Sequence, residues 1–206
     1  MKRRYRVGRF LDRLDQIRDL LGNDPAFSTD VIVGFPGETD AEFEETLETC
    51  RRARFMKVHV FPFSRRDGTP AAEMPDQIPP EVIRERVGIL SDLERDLALD
   101  FYRRRLRAGD STSQVLGSET RQTTAPELEV FVEQMAESRP GYVRGCDRWY
   151  MPVEVPGTAR DIGQFIRCHG VSASRAGVLA ERSENAHLPA EDEFTAVRAG
   201  VDSWER

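Results

Sequence analysis

The stretch from Ser28 to Thr39, STDVIVGFPGET, limits the possible folds of this chain more than any other. Val31, Ile32 and Val33 make a short β-branched run, with Asp30 before it and Gly34 after it. Such a run is expected to be a strand buried on both faces, as in a parallel sheet. Pro36 fixes its own φ and Gly37 tolerates a positive one, so Phe35-Pro36-Gly37-Glu38 is expected to turn tightly. Thr39 followed by Glu42 is a capping box that opens a helix. The order is therefore strand, tight turn, capped helix, and in α/β folds ligands sit at the carboxyl ends of strands. Two readings stay open: Gly34 and Gly37 serve sterics alone in an ordinary βα turn, or they let a ligand approach. A Walker loop is excluded, because no Gly-Lys-Ser/Thr follows.

Around this stretch the apolar spacing predicts helices and one more strand. Phe10, Leu14, Ile17 and Leu21 give an amphipathic helix from about residue 8 to 21, ended by Gly22-Asn23-Asp24-Pro25. Phe43, Leu47 and Cys50 share one face of a helix from Asp40 to about Phe55, so Cys50 reads as a small core residue. The acidic start of that helix (Asp40, Glu42) and its basic end (Arg51, Arg52, Arg54) suit the helix dipole. Val58 to Phe61 is the next strand, which makes right-handed βα units with parallel strands. His59, alone in a strand, reads as a packed or edge residue.

Ser64 to Pro80 reads as a loop with a turn at Asp67-Gly68, its prolines excluding regular structure. Arg65 and Arg66 follow a strand end directly, where two guanidinium groups meet an anionic ligand or stand solvated. Ile83, Val87, Leu90, Leu97 and Phe101 mark a helix from Glu81 to about Arg107, with Leu93 and Leu106 widening its apolar surface and Ala108-Gly109 stopping it.

Beyond residue 110 the segments shorten. Gln114 to Leu116, Tyr142-Val143, Trp149 to Val155, Gly163 to Cys168 and Gly177 to Leu179 are strand candidates. Pro140-Gly141, Pro156-Gly157 and Ala176-Gly177 punctuate them, a rhythm that suggests a small β-barrel. Residues 120–139 read as a polar insertion, and 183–206 as a mostly disordered acidic tail.

A chain of 206 residues suits one or two small domains. The net charge of −6 gives no hint of nucleic acid. Local clusters do: Lys2, Arg3, Arg4, Arg6 and Arg9, then Arg103, Arg104, Arg105 and Arg107, form either solvated faces or phosphate-binding stripes. No apolar run reaches the roughly 18 residues of a membrane span, and the basic N-terminus lacks the apolar core of a secretory signal. The three cysteines, Cys50, Cys146 and Cys168, are too scattered for a disulfide framework or a zinc pattern. A reducing cytoplasm is the expected compartment.

The literal strings add what spacing does not. DVIVGFPGET, the acidic DAEFEETLE and VHVFPFSRRDGTPAAEMPDQIPPE closely resemble the radical-SAM tRNA methylthiotransferases. HVFPFSRRDGTPAA is most similar to the branch acting on threonylcarbamoyladenosine, and the isopentenyladenosine branch reads differently there. The resemblance runs from Met1 to about Gly109. More weakly, GYVRGCDRWYMPVEVPG and IGQFIRC resemble the core of the TRAM domain, a small RNA-binding β-barrel. The fold implied is α/β: the last βα units of a radical-SAM (β/α) barrel over 1–109, a TRAM-like barrel over 110–182, and the tail. The resemblance implies addition of a methylthio group to threonylcarbamoyladenosine next to the anticodon of tRNA, with S-adenosylmethionine and 4Fe-4S clusters. Val33, Gly34, Phe35, Pro36 and Gly37, with Phe61 and Pro62, would edge the S-adenosylmethionine site. Arg65 and Arg66 would lie beside the RNA pocket. Tyr142, Arg144, Arg148 and Trp149 would supply phosphate contact and base stacking on the barrel.

The family's cluster-binding cysteine motifs have no counterpart here, and clusters need thiolates at short spacing. The resemblance thus begins about halfway into the family's barrel, and Met1 falls at an internal methionine of a phrase like MKRRY. A shortened gene model, a fragment and a true truncation all fit. The chain by itself is expected to hold no cofactor and to be inactive. Two strands without neighbours would leave apolar faces and an edge open, unless a missing N-terminal half or a partner chain covers them. The alternatives are a non-catalytic RNA-binding protein and a degenerate fragment.

Overall fold

The computed structural model describes residues 6–21, 25–107 and 126–183. It begins with α1 (Val7–Leu21), β1 (Ser28–Val33), α2 (Asp40–Ala53), β2 (Lys57–Pro62) and α3 (Pro80–Arg107). Strands β3 (Glu127–Met135), β4 (Tyr142–Asp147), β5 (Pro152–Pro156), β6 (Phe165–Ser174) and β7 (Gly177–Arg182) follow.

β1 and β2 pair in parallel, from Ser28 opposite Lys57 to Val33 opposite Pro62. α2 is the crossover that a parallel pair requires. Its start is set locally: Thr39 Oγ1 accepts the Glu42 N–H at 3.2 Å, and Glu42 Oε2 accepts the Thr39 N–H at 2.8 Å. It ends at Ala53, before the expected Phe55, because Arg54 turns left-handed at φ +48°.

Helices cover mainly one face of the pair. Val33 and Val58 are buried there with Leu11, Leu14, Phe43, Leu47, Cys50 and Leu90, and Val31 and Val60 pack against them. On the other face Ile32 and Phe61, opposite each other in register, stay 43% and 49% exposed. The expectation of a strand buried on both faces is corrected accordingly: that side is open at Ile32 and Phe61, whereas nearer the start of β2 Lys57 pairs with Glu94 of α3 at 2.9 Å.

α1 also departs from its expected stripe. Leu11 and Leu14 are buried, whereas Ile17 and Leu21 are exposed. The N-terminal half packs through Phe10 near Phe55, with ring centroids 6.3 Å apart. The C-terminal half is held by Arg18, which donates to the Ala53 carbonyl and lies over the Phe27 ring. In the 64–80 loop the prolines do not exclude regular structure. Pro70–Ala72 forms a 3-10 turn with Pro70 at its start, where the missing N–H costs nothing.

α3 serves two cores. Leu90 lies in the core of the α/β unit, while Ala98, Phe101 and Tyr102 belong to the core of the barrel.

β3 to β7 close into a barrel in the order β3-β4-β5-β7-β6. β3 lies within the stretch expected to be a polar insertion, which is thereby corrected. Leu128, Val130 and Val132 alternate inward while Glu127, Glu129, Phe131 and Glu133 face out. Gly145 lets β4 approach β3 closely, since a Cβ there would sit 1.9 Å from the Phe131 carbonyl oxygen. The expected strand Trp149–Val155 begins only at Pro152. Before it the chain wraps around the buried Asp147, whose Oδ1 accepts the N–H groups of Trp149 (2.8 Å) and Met151 (2.9 Å). The expected strand at Gln114–Leu116, the helix stops at residues 22–24 and 108–109, and the tail beyond 183 lie outside the described residues.

Candidate functional site

The carboxyl ends of β1 and β2 form one continuous edge. The Phe63 N–H donates to the Val33 carbonyl at 2.7 Å, and the rings of Phe35 and Phe63 meet edge-on with centroids 5.4 Å apart. The turn closes as the sequence predicts: Glu38 N–H donates to the Phe35 carbonyl at 2.9 Å, with Gly37 at φ +81°. The two glycines differ in duty. Gly34, at φ +79°, is also pressed by Ile83 of α3, whose Cγ1 would be 2.5 Å from a Cβ. Gly37 faces open space, and its N–H reaches the Asp76 carbonyl at 2.9 Å, which ties the 64–80 loop to the turn.

A charge network holds this turn from behind. Glu38 Oε2 accepts the Gly34 N–H at 2.8 Å and Arg86 Nη1 at 2.7 Å. Arg86 also donates to the Glu38 carbonyl and, at 2.6 Å, to Asp40 Oδ1. Burial opposes the charge on Arg86, but the bonds to Asp40 and Glu38 prevail and raise its pKa above the ordinary value. Sequence spacing gives no sign of this network, since Arg86 is one of several charged residues on α3.

Of the residues expected at the S-adenosylmethionine site, Val33, Gly34 and Pro36 are buried, Phe35 is half-buried, and Gly37, Phe61 and Pro62 are exposed along this edge. Apolar sides and backbone groups are what they offer along this edge. Arg65 and Arg66 follow in the loop, exposed, and no ion pair engages either guanidinium among the described residues.

On the barrel the expected RNA residues occupy two places. Tyr142 and Arg144 point outward from β4, and the guanidinium of Arg139 lies 5.0 Å from the Tyr142 ring centroid. Arg148 and Trp149 sit in the turn after β4. Six residues of strand from Tyr142 to Arg148 span about 20 Å, so these are separate subsites. The Trp149 ring has Arg105 of α3 at 4.5 Å and Arg148 at 5.5 Å. Its indole N–H is buried and has no hydrogen-bond partner among the described residues. Arg105 lay in a basic cluster visible in the sequence; its place beside Trp149 did not.

The cysteines do not fit an iron–sulfur cluster. Cys50 is in the core of the α/β unit and Cys168 in that of the barrel, while Cys146 lies on the outward-facing side of β4. Burial pushes the Cys50 thiol up to about 11 and the Cys168 thiol up to about 12, away from the thiolate a cluster needs. Among the described residues no group of three His, Cys, Asp or Glu side chains could hold a metal ion.

No protein-family profile matches the sequence. Individual relatives do. The chain is 48% identical over 100 residues to tRNA-2-methylthio-N(6)-dimethylallyladenosine synthase of Acidothermus cellulolyticus, covering 48% of this chain and 20% of that protein. The counterpart from Mycobacteroides abscessus matches to the same extent. Threonylcarbamoyladenosine tRNA methylthiotransferase of Thermotoga maritima is 35% identical over 186 residues, 89% of this chain and 37% of that protein.

The chain is a homologue of the tRNA methylthiotransferases.

It spans from about a fifth to somewhat over a third of the length of these curated methylthiotransferases. Both branches of the family are represented. Identity is higher over the shorter alignments to the dimethylallyladenosine synthases, and the alignment to the threonylcarbamoyladenosine enzyme is longer.

Proposed function

We propose that this chain forms the C-terminal part of a radical-SAM tRNA methylthiotransferase that adds a methylthio group to threonylcarbamoyladenosine next to the anticodon. In this reading β1 and β2 are the last strands of a (β/α) barrel, and the closed five-stranded barrel is a TRAM-like RNA-binding domain. The observation that carries it is the single edge made by the Gly34–Gly37 turn, Phe61 and Pro62 at the carboxyl ends of two parallel strands. There Val33, Gly34, Phe35, Pro36 and Gly37 wall S-adenosylmethionine, with Phe61 and Pro62 beside them. Arg65 and Arg66 contact tRNA phosphate next to that wall.

The face left open at Ile32 and Phe61 is covered by an N-terminal half that brings the remaining strands and the cluster cysteines, in the same polypeptide or a partner. Alone, the described chain is inactive, because its cysteines cannot hold the 4Fe-4S clusters. tRNA as substrate favours the cytoplasm; no described helix is long and apolar enough to cross a membrane. The separation of the cysteines also favours a second reading, a non-catalytic RNA-binding protein.

The test is a chimera joining this chain to the part of the Thermotoga maritima relative that it does not span. Restored methylthiolation supports the first reading. Arg65→Ala and Arg66→Ala should each lower tRNA affinity and flatten its salt dependence by about one unit of slope. Tight, salt-sensitive tRNA binding by a folded, cluster-loaded but inactive chimera would favour the second. If both arginine variants match their parent in affinity, slope and turnover, those residues are solvated surface.

A further inference from the structure

A trough runs across the outer wall of the barrel, about 230 Å³ in volume, and no role has been assigned to it as a unit. Its floor is a row set by strand register: Arg144 of β4 stands opposite Glu154 of β5, Glu154 opposite Leu179 of β7, and Leu179 opposite Ser172 of β6. The turn between β3 and β4 supplies one wall with Ser138 and Arg139.

The charges in this trough are unevenly satisfied. Glu154 already accepts Ser138 Oγ at 2.9 Å and lies 3.7 Å from Arg139 Nε. Arg144, half-buried beside it, makes no ion pair or hydrogen bond among the described side chains. A half-buried arginine that makes no ion pair among the described residues favours a bound anion. Arg139, its guanidinium 5.0 Å from the Tyr142 ring centroid, adds a second positive charge that Glu154 partly offsets. Glu154, with lone pairs left over, is an acceptor suited to a hydroxyl rather than to a phosphate. An anion-seeking pair next to a hydroxyl-seeking carboxylate matches one nucleotide of a ribose backbone.

We infer that this trough binds a single-stranded RNA nucleotide, its phosphate on Arg144 and Arg139 and its ribose 2′-hydroxyl on Glu154. The inference rests on the reading that the chain binds tRNA, and it adds which barrel face does so and why RNA is preferred to DNA.

The experiment uses the whole chain with labelled single-stranded RNA of about ten nucleotides and DNA of the same sequence, titrated at several salt concentrations. The parent is expected to prefer RNA. Arg144→Gln should weaken RNA binding severalfold and reduce the salt slope by about one unit, while Arg160→Gln, outside the trough, should not. Glu154→Ala should bring the RNA-to-DNA preference close to one. Circular dichroism and melting temperature establish that each variant folds, and Arg144→Lys, which should keep most of the slope, replaces Arg144→Gln if the latter does not. If folded Arg144→Gln binds RNA like the parent, or Glu154→Ala keeps the full RNA preference, the trough assignment is overturned and the tRNA reading survives. If the parent binds neither nucleic acid even at low salt, the tRNA reading itself fails.

Discussion

Arg86 and Glu38, 48 residues apart in sequence, meet at 2.7 Å behind the Gly34–Gly37 turn, where both side chains are largely shielded from water (6% and 13% exposed). The second partner of Arg86, Asp40, is 99% exposed, so that pair is screened by water more than the first. The first pair matters because Glu38 Oε2 also holds the Gly34 N–H.

Removing one partner of a largely buried pair leaves the other charge uncompensated. Arg86→Leu should therefore cost about 3 kcal/mol in urea unfolding. Glu38→Gln, which keeps an acceptor for Gly34, should cost less. Equal losses for the two variants would show that the broken ion pair, and not the hydrogen bond to Gly34, sets the effect.

Gly34 and Gly37 share a positive φ but differ in surroundings, so alanine should separate them. Gly37→Ala meets only the backbone penalty, about 1–2 kcal/mol. Gly34→Ala meets that penalty and a collision with Ile83, and should lose more. The pair of unfolding midpoints measures this; a Gly37 variant as damaged as the Gly34 variant would mean the turn is constrained from a side not described above.

Asp147 is buried in the β4–β5 turn, and burial raises its pKa above 3.8 despite the N–H bonds from Met151 and Trp149 and the nearby Arg105 and Arg148. The folded state thus holds this proton more tightly than the unfolded one. Its contribution to stability is greatest below the ordinary carboxylate pKa and is lost as pH rises through the raised value. Asp147→Asn keeps the acceptor and removes the titration, so it should be at least as stable as the parent at pH 7 and lack this acid-range decline. Asp147→Ala orphans two amides and should cost about 1–3 kcal/mol. Stability curves from pH 3 to 7 decide it, and an unchanged decline in the Asn variant would assign the effect to another group.

The thiols should report the two cores. At pH 8 a disulfide reagent should modify Cys146 slowly in the native chain, and reach Cys50 and Cys168 only on unfolding. Anaerobic reconstitution should leave the isolated chain without stoichiometric iron and sulfide. A full 4Fe-4S complement would place the thiols closer together than described, and alanine variants would identify the ligands.

Much of the α/β unit was legible because its signals are local. The capping box, the Pro-Gly turn and the Phe43-Leu47-Cys50 face each act within a few residues, and the structure has all three. The inward alternation of Leu128, Val130 and Val132 was present in the sequence too, but the intervening glutamates made the segment read as polar. The candidate site was less legible. Spacing located the strand-end turn, yet not Arg86 behind it or Arg105 against Trp149.

The sequence alone determined the order of strand, turn and capped helix and the parallel pairing that a helical crossover demands. It also determined the change from α/β to short-strand architecture after residue 110. The tertiary structure alone decided that one helix closes two cores, that Ile32 and Phe61 stay exposed on one face, and that Arg144 stands over a trough with no ion pair among the described residues. Backbone propensity and capping are settled between neighbours along the chain, whereas burial and charge pairing depend on which distant segments pack together.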